Sequence, residues 1–151
     1  MRNFLEITLQ NRKNLCAIIA QTSKEDLLKI PEPFRNNIWW NIAHVVVTQQ
    51  LLMYKLSGTA MLIPDALVAK FKKGTVPDGT ATEEEIATVT ALATSTIEQA
   101  IKDYDAGVFA NYSEYTTSAN VTLKNIDDAI GFNLFHEGIH FGSILALKKM
   151  L

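Results

Sequence analysis

Apolar residues in this chain recur every three or four positions, the period of helices lying against a core. The opening stretch, about Asn3 to Gln21, sets Leu5, Leu9, Leu15, Cys16 and Ile19 at near-helical spacing. Thr22-Ser23 ahead of Lys24-Glu25-Asp26 reads as a helix start, since a hydroxyl accepts orphan amide protons and early acids suit the positive end of the helix dipole. Pro31 and Pro33 keep that helix short. Asn36-Asn37 then cap a long apolar run from Ile38 to Leu56, which stops at Ser57-Gly58.

Residues 59–81 read as a connector punctuated by Pro64, Gly74, Pro77 and Gly79, with room for one helical turn around Asp65–Phe71. Thr82-Glu83-Glu84-Glu85 is a capping box, hydroxyl and carboxylate at the required offset. Behind it Ile86, Val89, Ala93, Ile97, Ala100 and Tyr104 form a one-sided stripe that ends near Gly107. Residues 108–124 are irregular, with an extended piece expected near Tyr115 to Thr122. Asn125, with Asp127 and Asp128 behind it, opens a last helix running to about Met150. Four long helices with few strand signals predict an all-α four-helix bundle, one domain over residues 1–151. Neighbouring helices in an up-and-down bundle need only about 2–8 linking residues, so the two long connectors predict crossover connections or loops covering one end. Loops of that length often line a site. There is no internal repeat.

Composition narrows the function classes. The chain has 151 residues, 48% of them hydrophobic and 20% charged, enough for a single core and unlike a disordered chain. Fourteen basic against sixteen acidic residues give a net charge of -2, which argues against nucleic-acid and membrane-surface partners. One cysteine, Cys16, makes no internal disulfide. The apolar stretch Leu15–Ala20 is too short for a secretion signal, and no run approaches the roughly 18 residues of a membrane span. A soluble cytoplasmic protein is the expectation.

All three histidines fall inside long predicted helices. His136 and His140 are one turn apart on one face, the simplest two-toothed metal clamp. A lone histidine on an apolar face is more often a hydrogen-bonded core residue than a ligand, and such a pair also arises by chance. Here Phe132 and Leu147 flank the pair on the same face. Burying two imidazoles there without partners is costly, and a bound cation removes much of that cost. His136-Glu137-Gly138-Ile139-His140 also spells His-Glu-x-x-His, two zinc ligands and a general base on one helix. That motif needs a third ligand downstream, and none of the eleven residues after His140 is His, Asp or Glu. A conventional metalloprotease is disfavoured for that reason. The remaining histidine, His44, lies on a different helix among Trp40, Asn41, Thr48 and Leu51, and a bundle interior is where such helices meet.

Trp40-Asn41-Ile42-Ala43-His44 on the second long helix and His136-Glu137-Gly138-Ile139-His140-Phe141-Gly142-Ser143-Ile144 on the last resemble the DinB-like proteins, small four-helix-bundle metalloenzymes. The order of elements is similar as well, over essentially the whole chain. The resemblance implies a divalent metal held by His44, His136 and His140, a bundle with crossover connections, and often a homodimer. It also implies, for some members, thiol-dependent transfer or isomerisation, in which the metal activates a small thiol. Ser143 departs from the Gln of many relatives, which bears on substrate contacts and not on the ligands. The family name hints at DNA damage, but no residue here encodes such a role.

Three neutral imidazoles leave a tetrahedral cation one open position, and suit zinc or nickel. A water or thiol on that position becomes a hydroxide or thiolate, the nucleophile of a transferase or a hydrolase. No catalytic residue is assigned. Glu137 points about 100° from His136, which leaves a base, an acceptor for a metal ligand's outer nitrogen, or a residue that packs between helices open. Trp39, Trp40 and the valines around them make the second long helix apolar nearly all round, a sign of core with a dimer contact as the alternative. Cys16 reads as a small core hydrophobe. Lys70, Lys72 and Lys73 read as a solvated cluster in the connector, and Lys148 and Lys149 as companions of a helix C-terminus. The rival class is a non-catalytic bundle that binds metal or a partner.

Overall fold

The computed structural model describes residues 1–151. The protein is mostly helical: α1 (Arg2–Ala20), α2 (Lys24–Leu28), α3 (Ile38–Gln50), a π-helical turn (Leu51–Lys55), α4 (Asp65–Phe71), α5 (Glu83–Asp105) and α6 (Ile126–Lys148). Between α5 and α6 a two-stranded antiparallel hairpin pairs β1 (Tyr115–Thr116) with β2 (Thr122–Leu123). The connector helix and the extended piece expected from sequence are both present. No helix is long and apolar enough to cross a membrane.

The caps sit where the sequence places them. Ser23, Asn37 and Asn125 each accept a backbone N–H from three residues on, and Thr82 with Glu85 closes a reciprocal capping box. The long apolar run differs in one respect. It does not stay α-helical to Leu56 but widens at Leu51–Lys55, where the Leu56 N–H donates to the Leu51 carbonyl five residues back. Single π turns of this kind occur often at functional sites.

α1 packs on α5 and α6, and α3 packs on α5, α6, α2 and α4. Covered on so many sides, α3 buries every residue except Thr48, which accounts for its apolar composition within one chain. The core reading of that helix therefore stands. Its polar residues are put to use: the Gln50 side-chain Oε1 accepts the Leu62 N–H at 2.6 Å, tying the start of the connector to the helix.

The buried stripe of α1 is Leu5, Thr8, Arg12, Leu15, Ile18 and Ile19, while Leu9 and Cys16 are only partly buried. An arginine thus occupies a core position. Arg12 is fully buried, and its guanidinium donates to the Val45 carbonyl at 2.8 Å and to both oxygens of Glu137 at 2.8 Å. Asn11 and Asn133 donate to the same carboxylate at 3.3 and 2.9 Å. One ion pair therefore stitches α1, α3 and α6 together at mid-height.

Candidate metal centre

α3 and α6 lie side by side, and their contact brings the three histidines together. One ring nitrogen from each of His44, His136 and His140 lies within 4.8 Å of the others. The two histidines of α6 are a turn apart, with their Nε2 atoms at 3.2 Å. The cluster expected from sequence is present.

Hydrogen bonds on the outer edges of the rings fix which nitrogens face inward. A carbonyl oxygen only accepts, so the 2.6 Å contact to Phe71 O requires that His44 Nδ1 carry the proton. Asn41 donates its amide protons to Asn36 Oδ1 and Asn37 O, so its Oδ1 faces His140 as an acceptor. His140 Nδ1–H donates to it at 2.7 Å. Both rings then present an unprotonated Nε2 to the cluster, held by the kind of outer partner that orients metal-binding histidines. His136 differs, for its buried Nδ1 has no hydrogen-bond partner. Trp40 stacks on His44 with ring centroids 4.5 Å apart, and its indole N–H donates to Thr75 Oγ1 at 3.0 Å. The connector is thereby drawn against the site.

Electrostatics keep the rings neutral. Burial and the two neighbouring imidazoles push His136 down to about 3, and burial with His44 nearby pushes His140 down to about 4. Burial lowers His44 as well, against the opposing effect of the Phe71 carbonyl.

This donor set fits a cation. Zinc–imidazole bonds of about 2.0–2.1 Å in a tetrahedron set the nitrogens about 3.3 Å apart, close to the 3.2 Å between His136 and His140. Two ring nitrogens that near need a proton between them when no ion is bound, and a cation serves the same purpose for all three. The histidines line one wall of a cavity of about 570 Å³, whose other walls include Trp40, Leu52, Phe132, and Tyr115 from the hairpin. A ligand can therefore reach the point on which the nitrogens converge.

Glu137 takes no part in that cavity. It faces α1 instead, fully buried, with both oxygens held by Arg12. Glu137 sits between helices as the acceptor for Arg12, Asn11 and Asn133, not behind a metal ligand, and the His-Glu-x-x-His string yields no protease base here. Ser143 donates to the Ile139 carbonyl on its own helix and lies outside the cavity lining. Cys16 is half-buried beside the Thr90 carbonyl, and burial raises its thiol pKa, in keeping with a packing residue. Lys70 is paired with Glu85 and Asp78, fastening the connector to the start of α5, while Lys73 lines the cavity.

The sequence profile of the DinB superfamily matches residues 7–144 of the 151. The chain belongs to that superfamily. No curated protein matches this DinB chain. The matched span takes in the whole His44, His136 and His140 cluster, all of α3 and all but the last four residues of α6.

Sequence reasoning did not find Arg12, the Phe71 carbonyl or the place of Lys55 in the cavity wall. Asn41 was visible as a polar residue one turn before His44 in an apolar run. A backbone carbonyl leaves no residue-type signal at all.

Proposed function

We propose that this DinB protein is a divalent-metal enzyme in which His44, His136 and His140 hold the ion and the adjoining cavity admits a small thiol or water nucleophile and its electrophile. The supporting observation is the convergence of three imidazoles, one buried and two partly buried, two with their outer nitrogens engaged, on one point at the wall of an open cavity. A divalent ion held by these three histidines would supply Lewis acidity, making a thiol or water acidic enough to ionise near neutral pH. Zinc and nickel are the metals such a donor set favours. The protein's own groups do the rest. Phe71 O and Asn41 fix the ring orientations, Trp40 and Phe132 wall off one side from water, and Thr48 Oγ1 lies 3.3 Å from His44 Nε2 as a hydrogen-bonding group for an incoming ligand. The class of reaction is transfer or hydrolysis by an activated nucleophile.

The same reading treats α1, α3, α5 and α6 as a four-helix bundle joined by crossover connections, and places the protein in the cytoplasm, where small thiols stay reduced. It also includes a homodimer. Phe135 and Ile139, exposed to 56% and 51% on the outer side of α6, support a contact there rather than through α3.

A second reading, a metal-binding bundle without catalysis, is favoured by one observation: no aspartate or glutamate lines the cavity to serve as a base. Two measurements separate the readings. Protein purified without a histidine tag should carry about one divalent ion per chain, and His44→Ala should abolish it. Substoichiometric metal indifferent to that substitution would remove the site. A screen of small thiols with electrophilic acceptors should then give turnover lost in His140→Ala, whereas a fully loaded protein inert across the screen would favour the second reading.

A further inference from the structure

The cavity beside the histidines is electrostatically unlike the rest of the chain. Acidic residues outnumber basic ones sixteen to fourteen overall, yet the cavity lining contains Lys55 and Lys73 and no acidic residue. Neither lysine lies within 4.0 Å of a carboxylate, whereas Lys24 and Lys70 both do. They come from separate segments, Lys55 from the end of the π turn and Lys73 from the connector just past α4. A solvated lysine is ordinary. Two unpaired, exposed ones lining a single cavity, with no carboxylate on its walls, make that cavity locally positive in a chain that is acidic overall.

The rest of the lining is amphipathic. Trp40, Leu51, Leu52, Leu56 and Phe132 give apolar surface, and Thr117 and Ser118 of the hairpin add hydroxyls. Leu51, Leu52 and Lys55 follow His44 along one continuous helical rod. Eleven residues of helix advance by about 16 Å, which sets Lys55 and His44 toward different ends of the same cavity.

We propose that the substrate is an amphipathic acid: a small molecule with a carboxylate or similar anion seated by Lys55 and Lys73, an apolar body along the leucines, and its reacting end at the histidines. This deepens the enzyme reading and rests on the same cavity. It is testable without the metal.

Two fluorescent probes that differ by one charge serve: anilinonaphthalenesulfonate, an anion, and phenylnaphthylamine, its neutral counterpart. On metal-free protein the sulfonate should bind about tenfold tighter than the neutral dye. Lys55→Glu with Lys73→Glu should erase that preference while moving the neutral dye less than about twofold. Thr48→Trp, which fills the cavity between histidines and lysines, should weaken both dyes. Lys55→Gln with Lys73→Gln, a milder pair of changes, should reduce the preference part-way, and circular dichroism should confirm helical folding in every variant. Equal binding of the two dyes would overturn the proposal. So would a sulfonate affinity unmoved by the charge reversals, or indifference of both dyes to Thr48→Trp. A protein that prefers the anion but binds no metal would refute only the metal reading, and a loaded protein without the preference would refute only this one.

Discussion

Adjacent residues on α6 lead opposite lives. Glu137 is wholly enclosed, and four donated hydrogen bonds from Arg12, Asn11 and Asn133 occupy its oxygens. His136, one step along the chain, crowds a second imidazole at 3.2 Å and leaves a buried nitrogen without a partner. Both positions carry buried polar atoms on one helix. The first is complete within the protein, so it holds helices together. The second is incomplete within the protein and opens on a cavity, which is the condition for taking up something from outside.

Breaking the complete side should have the largest effect. Arg12→Met leaves the Glu137 carboxylate buried without its counter-charge, and the expected loss of unfolding free energy is about 3–5 kcal/mol. Chemical denaturation measures it, and adding Glu137→Leu should restore much of the loss because the stranded charge is then gone. An unchanged midpoint in the single variant would mean that the pair does not bind the helices.

On the incomplete side the expected losses fall on ligand affinity rather than folding. His140→Ala should weaken zinc binding by at least about a hundredfold while the metal-free protein keeps its stability within about 1 kcal/mol. Calorimetric titration and thermal unfolding read the two quantities separately. Asn41→Ala removes only the acceptor that orients His140, so its effect should be smaller, about 10–100-fold in zinc affinity. If Asn41→Ala cost more than His140→Ala, the assignment of ligand and support would be reversed.

The smallest expected effect is a pH slope. Unfolded imidazoles take up protons near pH 6.5, whereas His136 and His140 in the folded protein resist protonation down to about 3 and about 4. Below pH 6.5 the unfolded chain therefore binds more protons than the folded one, and metal-free protein loses stability as the pH falls, by on the order of 1 kcal/mol per pH unit for each ring. Above 6.5 these groups contribute no slope. Thermal unfolding at two pH values should show a shallower fall in His136→Ala; an identical slope would mean that the rings are not buried as neutral groups.

Much of this was legible in the residues themselves. The cap residues Ser23, Asn37 and Asn125 and the capping box at Thr82 mark helix starts because capping is a local hydrogen bond between near neighbours in sequence. The His136 and His140 pair was legible for the same reason, since helical geometry alone sets two side chains four residues apart on one face. Arg12 was not, because an arginine in an apolar stripe announces nothing until its carboxylate partner, 125 residues away, is seen beside it. Nor was the division of labour between His136 and Glu137, which depends on what faces each side of α6.

The sequence by itself determined where the helices begin, that α1 and α5 bury one stripe each, and that two imidazoles share a face. These are consequences of short-range geometry along a single helix. Only the tertiary structure decided that His44 joins the pair, that Phe71 O and Asn41 turn the rings inward, and that a lysine-flanked cavity opens beside them. Those outcomes depend on how α3, α4 and α6 pack against one another, and packing is settled by shape and burial over the whole core.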